Sequence, residues 1–117
     1  MRLLVCGDHN WQDYTLVLQE VTALHPDVVI EGEAHGADLM GRAAAYTIGA
    51  DVIAFPAQWN KYGRAAGPIR NQQMLTEGKP DMVLAFHDNL ALSRGTAHMV
   101  RIARQAGVLV KLVSHAK

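Results

Sequence analysis

The alternation of two kinds of segment along the chain constrains the fold more than any other feature. Five short runs are continuously apolar, which is typical of strands that helices cover on both faces. Four segments between them repeat apolar residues at the spacing of a helix that buries one face. The predicted strands are residues 3–6, 28–30, 52–55, 82–86 and 108–112, and the predicted helices are residues 14–24, 37–48, 69–75 and 96–106.

A repeated strand–helix–strand order is typical of a parallel sheet whose strands are joined by right-handed crossover helices. We therefore predict an α/β fold: a single Rossmann-like three-layer sandwich over residues 1–117, with a five-stranded parallel sheet of order 3-2-1-4-5. Gly49, Gly78 and Gly107 each lie between a predicted helix and the next strand, as capping glycines do. Residues 56–67 form an unusually long connection, which predicts a functional segment.

Composition and charge exclude several classes of protein. Half of the residues are apolar and the formal net charge is zero, which argues against duplex nucleic acid or an anionic membrane as the main partner. Cys6 is the only cysteine, so we expect a reducing compartment and neither an intramolecular disulfide nor a cysteine-based metal cluster. No apolar run approaches the roughly twenty residues of a membrane span, and the N-terminus lacks a secretory pattern. We expect a cytoplasmic protein.

The six histidines lack the spacing of metal ligands, so no metal site is predicted. His9, His35 and His87 nevertheless follow predicted strands, where a proton-transfer role is an alternative to ordinary hydrogen bonding. Ligands of doubly wound sheets bind beyond the carboxyl ends of the strands. The candidate ligand-binding residues in these segments are Gly7, Asp8, Trp11, Gly36, Ala37, Asp38, Trp59, Tyr62, Arg70, Asn71, Ser93, Arg94, Gly95 and Thr96.

Ser93-Arg94-Gly95-Thr96 opens the fourth predicted helix. A glycine there allows close approach, and free backbone N–H groups at a helix N-terminus bind anions. Ser and Thr are also ordinary N-caps, which is the alternative interpretation. The segment is not a phosphate-binding loop of the Walker type, because no Gly-Lys-Ser/Thr follows a glycine at the required spacing.

Gly36-Ala37-Asp38 opens the second predicted helix without forming a Gly-x-Gly-x-x-Gly fingerprint. A carboxylate at this edge of a doubly wound sheet often accepts a ribose hydroxyl, which is one role for Asp38. The alternative is that Asp38 only complements the helix dipole. Glu33 and Asp38 are candidates for catalysis, as is Arg70.

Pro68 suits the first turn of a helix, so Arg70 and Asn71 are expected in that turn. A cation there opposes the helix dipole. This placement favours an anion or carboxylate partner for Arg70. The alternative is that Arg70 is exposed to solvent and has no functional role. Trp11, Trp59 and Tyr62 offer flat surfaces on which a base could stack, although Trp59 and Tyr62 could instead pack the long connection onto the body.

Several of these elements, taken together, resemble the YspA-related branch of the SLOG superfamily. They are Val5-Cys6-Gly7, Gly36-Ala37-Asp38, Phe55-Pro56-Ala57-x-Trp59, Tyr62-Gly63, Ala66-Gly67-Pro68-x-Arg70-Asn71-x-x-Met74 and Ala85-Phe86 with Gly95-Thr96. The resemblance implies a Rossmann-like domain of prokaryotic or phage setting that binds nucleotides or nucleotide-derived ligands.

The LOG-type phosphoribohydrolases, which are similar, carry an Arg-Lys-x-x-Met and a Pro-Gly-Gly-x-Gly-Thr-x-x-Glu element. Arg70 matches the arginine of the first, and Gly95-Thr96 matches the second in part. Met99 stands where that family has its catalytic glutamate. A carboxylate stabilises the oxocarbenium-like state of glycosidic cleavage, so the substitution argues against hydrolysis.

The leading hypothesis is a nucleotide or nucleotide-derivative binding domain, with a sensor as one form of it. Apart from such a nucleotide-derived ligand, the sequence identifies no cofactor. Phosphate would lie at Gly95-Thr96 and Arg70, ribose near Asp38, and the base against Trp59 or Trp11. The second hypothesis is a hydrolase that cleaves a nucleotide N-glycosidic bond, and the third is a nucleic-acid-binding scaffold. A homo-oligomer is compatible with each of them.

Overall fold

A computed structural model describes residues 1–115 as alternating strands and helices. The strands are β1 (Arg2–Gly7), β2 (Val28–Glu31), β3 (Asp51–Ala54), β4 (Met82–Phe86) and β5 (Leu109–Val113). The helices are α1 (Tyr14–Leu24), α2 (Ala37–Ile48), α3 (Trp59–Tyr62), α4 (Ala66–Thr76) and α5 (Gly95–Gln105). Single 3₁₀ turns occupy Gly63–Ala65 and Leu90–Leu92.

All five strands are parallel, and their order is β3-β2-β1-β4-β5, which confirms the prediction. From β1 the chain adds β2 and β3 on one side of the sheet and then returns to add β4 and β5 on the other, so the strand order reverses between β1 and β4. These two central strands pair in register from Leu3 with Met82 to Gly7 with Phe86. A crevice for ligands is expected at the carboxyl ends of strands that flank such a reversal.

The core consists of two apolar layers, one on each face of the sheet. On one face, α1 and α2 pack Val17, Val21 and Ala44 against the central strands. On the other face, α4 and α5 contribute Met74 and Val100, among others, to a second cluster. Residues of β1 and β4 enter both clusters. This explains why their sequences are continuously apolar rather than alternating.

The long connection is more ordered than the sequence predicts. Residues 56–67 contain α3, the turn Gly63–Ala65 and the start of α4. The third predicted helix, expected over residues 69–75, therefore begins earlier, at Ala66, because Pro68 is tolerated in a first turn whose N–H groups have no helical partner. Arg70 is the fifth residue of α4, so its predicted place in the first turn is wrong.

Two of the three predicted capping glycines adopt the expected backbone conformation. Gly49 and Gly107 both have φ +77°. Gly78 does not, and Lys79 takes the positive φ of 51° instead. A Cβ at position 78 would lie 2.3 Å from the carbonyl oxygen of Met74, so close packing is what demands glycine there. In residues 1–115, each helix is too short or too polar to cross a bilayer.

Candidate functional site

A cavity of about 560 Å³ opens beyond the carboxyl ends of β1 and β4, at the reversal of strand order. Its volume lies in the range of small-molecule sites, about 300–1,000 Å³. Cys6, Met74 and Met99 contribute buried apolar surface to its wall. Nine of the predicted ligand-binding residues line it: Gly7, Asp8, Asp38, Arg70, Asn71, Ser93, Arg94, Gly95 and Thr96.

The start of α5 forms one side of the cavity. Ser93 Oγ accepts a hydrogen bond from the Thr96 N–H at 3.0 Å, so the serine is an N-cap as well as a lining residue. The N–H groups of Gly95 and Ala97 belong to the same first turn, where a helix offers no backbone partner. A Cβ added to Gly95 would meet nothing within 4 Å. The space beside Gly95 at the start of α5 is therefore open.

Asn71 connects α4 to this helix start. Its buried Nδ2 group donates to the Gly95 carbonyl oxygen at 3.2 Å and lies 3.1 Å from His98 Nδ1. Its Oδ1 atom accepts from Arg70 Nε at 3.1 Å. Burial and the neighbouring Arg101 lower the pKa of His98. Asn71 thus links Gly95 at the start of α5 to Arg70 of α4 through hydrogen bonds.

Arg70 and Asp38 form the opposite side. Arg70 Nη1 donates to the Gly32 carbonyl oxygen at 2.6 Å. Asp38 is buried, and its Oδ2 atom accepts from the N–H groups of Gly32 at 3.1 Å and Ala34 at 3.4 Å. Burial raises the pKa of Asp38 to about 7, although Arg70 opposes the shift. Arg70 therefore has a carboxylate neighbour, although it lies outside the first turn from which such a partner was predicted. Asp38 also holds the loop after β2.

Gly7, Gly36 and Ala37 act through the backbone. Ala37 N–H donates to the Asp8 carbonyl oxygen at 3.2 Å. Gly36 has φ +76°, and a Cβ there would lie 2.4 Å from that same oxygen. The loops after β1 and β2 are therefore in direct contact. Gly7 lies at the cavity wall, whereas Gly36 and Ala37 support it from behind.

The three aromatic candidates lie outside the cavity. Trp11 is buried, stacks on His115 with a centroid distance of 4.7 Å and packs against Phe86. Trp59 borders a smaller depression that shares Arg70 and Ala34 with the cavity. The exposed Tyr62 ring lies beneath Lys61 Nζ at 5.0 Å. Trp11 is thus a core residue, whereas Trp59 borders a depression that adjoins the cavity.

The catalytic candidate Glu33 also lies apart from the cavity. Its carboxylate pairs with Arg42, which in turn contacts the fully buried Glu31 at 3.1 Å. Burial raises the pKa of Glu31. Neither Glu31 nor Arg42 is among the residues predicted from the sequence to form the site. A charged residue at the end of an apolar run, eleven positions before an arginine, was the available signal.

Besides Asp38 and the arginines, the titratable side chains that line this cavity are those of Cys6, Asp8, His9, His87 and Asp88. Burial raises the pKa of the Cys6 thiol, so it is protonated and a poor nucleophile. Met99 is buried and supplies only a thioether. Asp8 Oδ1 accepts from the Asn10 N–H at 2.9 Å, and its Oδ2 lies 3.9 Å from His87 Nε2. Within residues 1–115, no group of three or more His, Cys, Asp or Glu side chains is arranged to hold a metal ion.

His115 joins three elements next to the cavity, a role the sequence analysis missed. Its Nε2 atom lies 2.7 Å from Asp13 Oδ2, and Nδ1 lies 3.0 Å from Asp88 Oδ2. Asp13 is also the N-cap of α1, where it accepts from the Leu16 N–H. Hydrogen bonds to Asp13 and Asp88 raise the pKa of His115. The contacts span up to 102 positions, so no local pattern could reveal them.

The charged form of His115 should stabilise the fold at mildly acid pH. Because its pKa is raised on folding, this contribution is present below the unfolded pKa and is lost as pH rises through the folded one. We expect His115→Gln to lower the urea midpoint at about pH 6 and to have little effect near pH 9. His35→Gln, on an exposed loop residue, is the control. Equal losses at both pH values would contradict the prediction.

Two comparisons place the chain among known proteins. The model of the YspA, cpYpsA-related SLOG family matches residues 1–62, which include β1 to β3. The Gene 61 protein of Mycobacterium phage D29 is 35% identical over 119 aligned positions that cover 93% of each chain. The similarity to this phage protein extends beyond residue 62 to the half of the chain that carries Arg70, Asn71 and the start of α5. The chain therefore belongs to the YspA, cpYpsA-related SLOG family.

Proposed function

We propose that this protein binds a nucleotide or a nucleotide derivative in the cavity between α4 and α5. The observation that carries the proposal is the cavity at the strand reversal, with the first turn of α5 on one side and the side chains of Arg70 and Asp38 on the other. A phosphate at the amides would gain hydrogen bonds and the favourable end of the helix dipole. Arg94 is exposed at the same rim and adds a cation.

Asp38 suits the sugar rather than the phosphate. Only Oδ2 is used by the two loop N–H groups, so Oδ1 is left to accept from a ribose hydroxyl. Arg70 lies between the cavity and the depression beside Trp59 and lines both. A base that extends past Arg70 therefore reaches Trp59. Trp11, the other candidate, is enclosed by Phe86 and His115.

Binding is better supported than cleavage of the N-glycosidic bond. Cleavage develops positive charge on the sugar, which a carboxylate stabilises and a thioether does not. Met99 lies at the matching position of α5, and Glu33 is paired with Arg42 outside the cavity. Asp38 is the remaining catalytic candidate with a carboxyl group at the cavity, and two backbone N–H groups already fix it.

Gly95→Ala gives a sharp test, because the added methyl group enters open space in the protein but occupies the approach of a phosphate. We expect the unliganded variant to be as stable as the wild type or slightly more so, by up to about 1 kcal/mol, since alanine favours a helix. We expect its affinity for AMP, GMP, CMP and UMP to fall about tenfold or more, which corresponds to a loss of about 1.4 kcal/mol in binding free energy. Isothermal titration and thermal unfolding measure the two effects.

Gly67→Ala is the matched control, because this glycine is the second residue of α4, does not line the cavity, and would make only an ordinary contact with Trp59 through an added Cβ. Its nucleotide affinity should equal that of the wild type. A bound nucleotide at a hundred times its dissociation constant should stabilise the wild type by about 2.7 kcal/mol. Unchanged melting temperatures across the four nucleotides at millimolar concentration would refute the proposal.

A further inference from the structure

The two parts of the sequence carry opposite charge. Residues 1–51 contain eight acidic and two basic residues, whereas residues 52–117 contain three acidic and nine basic ones. The zero net charge is therefore an average over two oppositely charged segments. Such an asymmetry is typical of proteins that present one charged surface to a polyanion.

The fold collects much of the positive charge on one side of the sheet. The segments α3, Gly63–Ala65, α4 and α5 contain no acidic residue. We call the outer surface of these segments, together with Arg94, which immediately precedes α5, the basic face. Its cations are Lys61, Arg64, Arg70, Arg94, Arg101 and Arg104, of which all but Arg70 are exposed. Among residues 1–115, none of these six takes part in an ion pair with a carboxylate within 4.0 Å.

The basic residues of α5 form a row that begins at the cavity. Arg94 lines the cavity rim, and His98 and Arg101 follow at intervals of four and three residues. Residues at these intervals share one side of a helix. Arg101 acts electrostatically on His98, which contacts Asn71 of α4. Arg104 continues the row by another three positions, so the row runs from the cavity along the α4–α5 side.

Exposed aromatic rings lie on the same face. Trp59 is 58% exposed and Tyr62 is 38% exposed, although both belong to residue types with a large apolar surface. Lys61 lies over the Tyr62 ring. Unpaired cations interleaved with exposed aromatic side chains are the composition of surfaces that bind single strands, because the cations follow the phosphates and the rings stack on bases.

We propose that the basic face binds single-stranded nucleic acid, one nucleotide of which enters the cavity. The proposal rests on the proposed function, because the cavity supplies the end of the binding path. A duplex keeps its bases stacked inside, so it could not use Trp59 or the cavity. An acidic protein or an anionic membrane would use the cations but would give no role to the adjoining nucleotide-sized cavity.

The experiment measures anisotropy of a fluorescein-labelled oligothymidylate of about ten nucleotides, a length within the range of single-strand sites. We expect the slope of log K against log[NaCl] to be about −3, which corresponds to about four phosphate contacts. Replacing both Arg101 and Arg104 by alanine should reduce the slope by about 1.4 and the affinity by roughly twentyfold near 0.1 M NaCl. Trp59→Ala should weaken binding about tenfold.

The control replaces Lys79 and Lys111 by alanine, which removes the same charge from the α4–β4 turn and the edge strand β5. It should leave oligothymidylate binding nearly unchanged, and neither of the two double variants should alter the affinity for TMP, because none of their four residues lines the cavity or the depression beside Trp59. Equal losses in control and test variants would overturn the proposal, as would equal affinity for a duplex. Preferential binding to phosphatidylserine vesicles would assign the face to a membrane instead. If TMP binds tightly but the oligonucleotide binds no more tightly than TMP, this inference alone is overturned. If TMP does not bind, the proposed nucleotide-binding function of the cavity is contradicted.

Discussion

Gly7→Ala should lower the free energy of unfolding by at least about 4 kcal/mol, or prevent folding altogether. Gly7 ends β1 with φ +153°, a conformation that residues with a Cβ rarely adopt. A Cβ there would lie 2.2 Å from the Phe86 carbonyl oxygen and 2.9 Å from the Ala37 Cβ. That oxygen accepts the Asp8 N–H at 2.8 Å, so it cannot retreat without breaking the bond that joins β1 to β4.

Urea unfolding followed by circular dichroism measures this loss. The Gly67→Ala variant serves again as control, because it adds the same methyl group to a position where the nearest side-chain atom is 3.5 Å away. It should unfold within about 1 kcal/mol of the wild type. A Gly7→Ala protein that unfolds cooperatively at the wild-type midpoint would mean that the two central strands can separate at the cavity without cost.

The sheet order could be predicted because each element carries its own signal. Apolar runs such as residues 82–86 are long enough to identify a buried strand, and the crossover rule then leaves few topologies. The start of α4 was missed for a local reason, since Pro68 is equally acceptable at several positions of a first turn. Gly78 was misjudged because its close contact with the Met74 carbonyl depends on packing, not on its place after a helix.

The site was predictable only in part, for a similar reason. The topology requires Asp38, Arg70 and Gly95 to approach the same edge of the sheet, so they could be selected from strand-exit segments. Side-chain direction is decided by contacts between distant positions. Trp11 turns into the core because Phe86 and His115 pack around it, and the latter lies 104 positions away in sequence. Periodicity carries no information on such pairs.

Asp38→Asn should abolish a large pH dependence of stability. Burial raises the pKa of Asp38 from 3.8 to about 7 in the folded protein. The folded state therefore binds more protons than the unfolded state between these values, so this group makes stability fall as pH rises from about 4 to 7. A shift of about three units corresponds to about 4 kcal/mol, reached above pH 7. Below about pH 4 both states hold the proton and the contribution is constant.

The asparagine oxygen can accept the same two N–H groups, from Gly32 and Ala34, that now meet Asp38 Oδ2. The variant should therefore equal the wild type near pH 4 and exceed it by about 2–4 kcal/mol near pH 8, in urea unfolding at each pH. Asp51→Asn makes the same change on an exposed residue and should show no such gain. Parallel pH profiles for Asp38→Asn and the wild type would contradict the prediction.

A ribose hydroxyl that donates to Asp38 stabilises the ionised form of this carboxyl group. The nucleotide affinity of the wild type should therefore rise as pH increases through 7, whereas the variant should lose that rise. The destabilising carboxylate is then explained by ligand recognition, because its charge becomes favourable only when the cavity is filled.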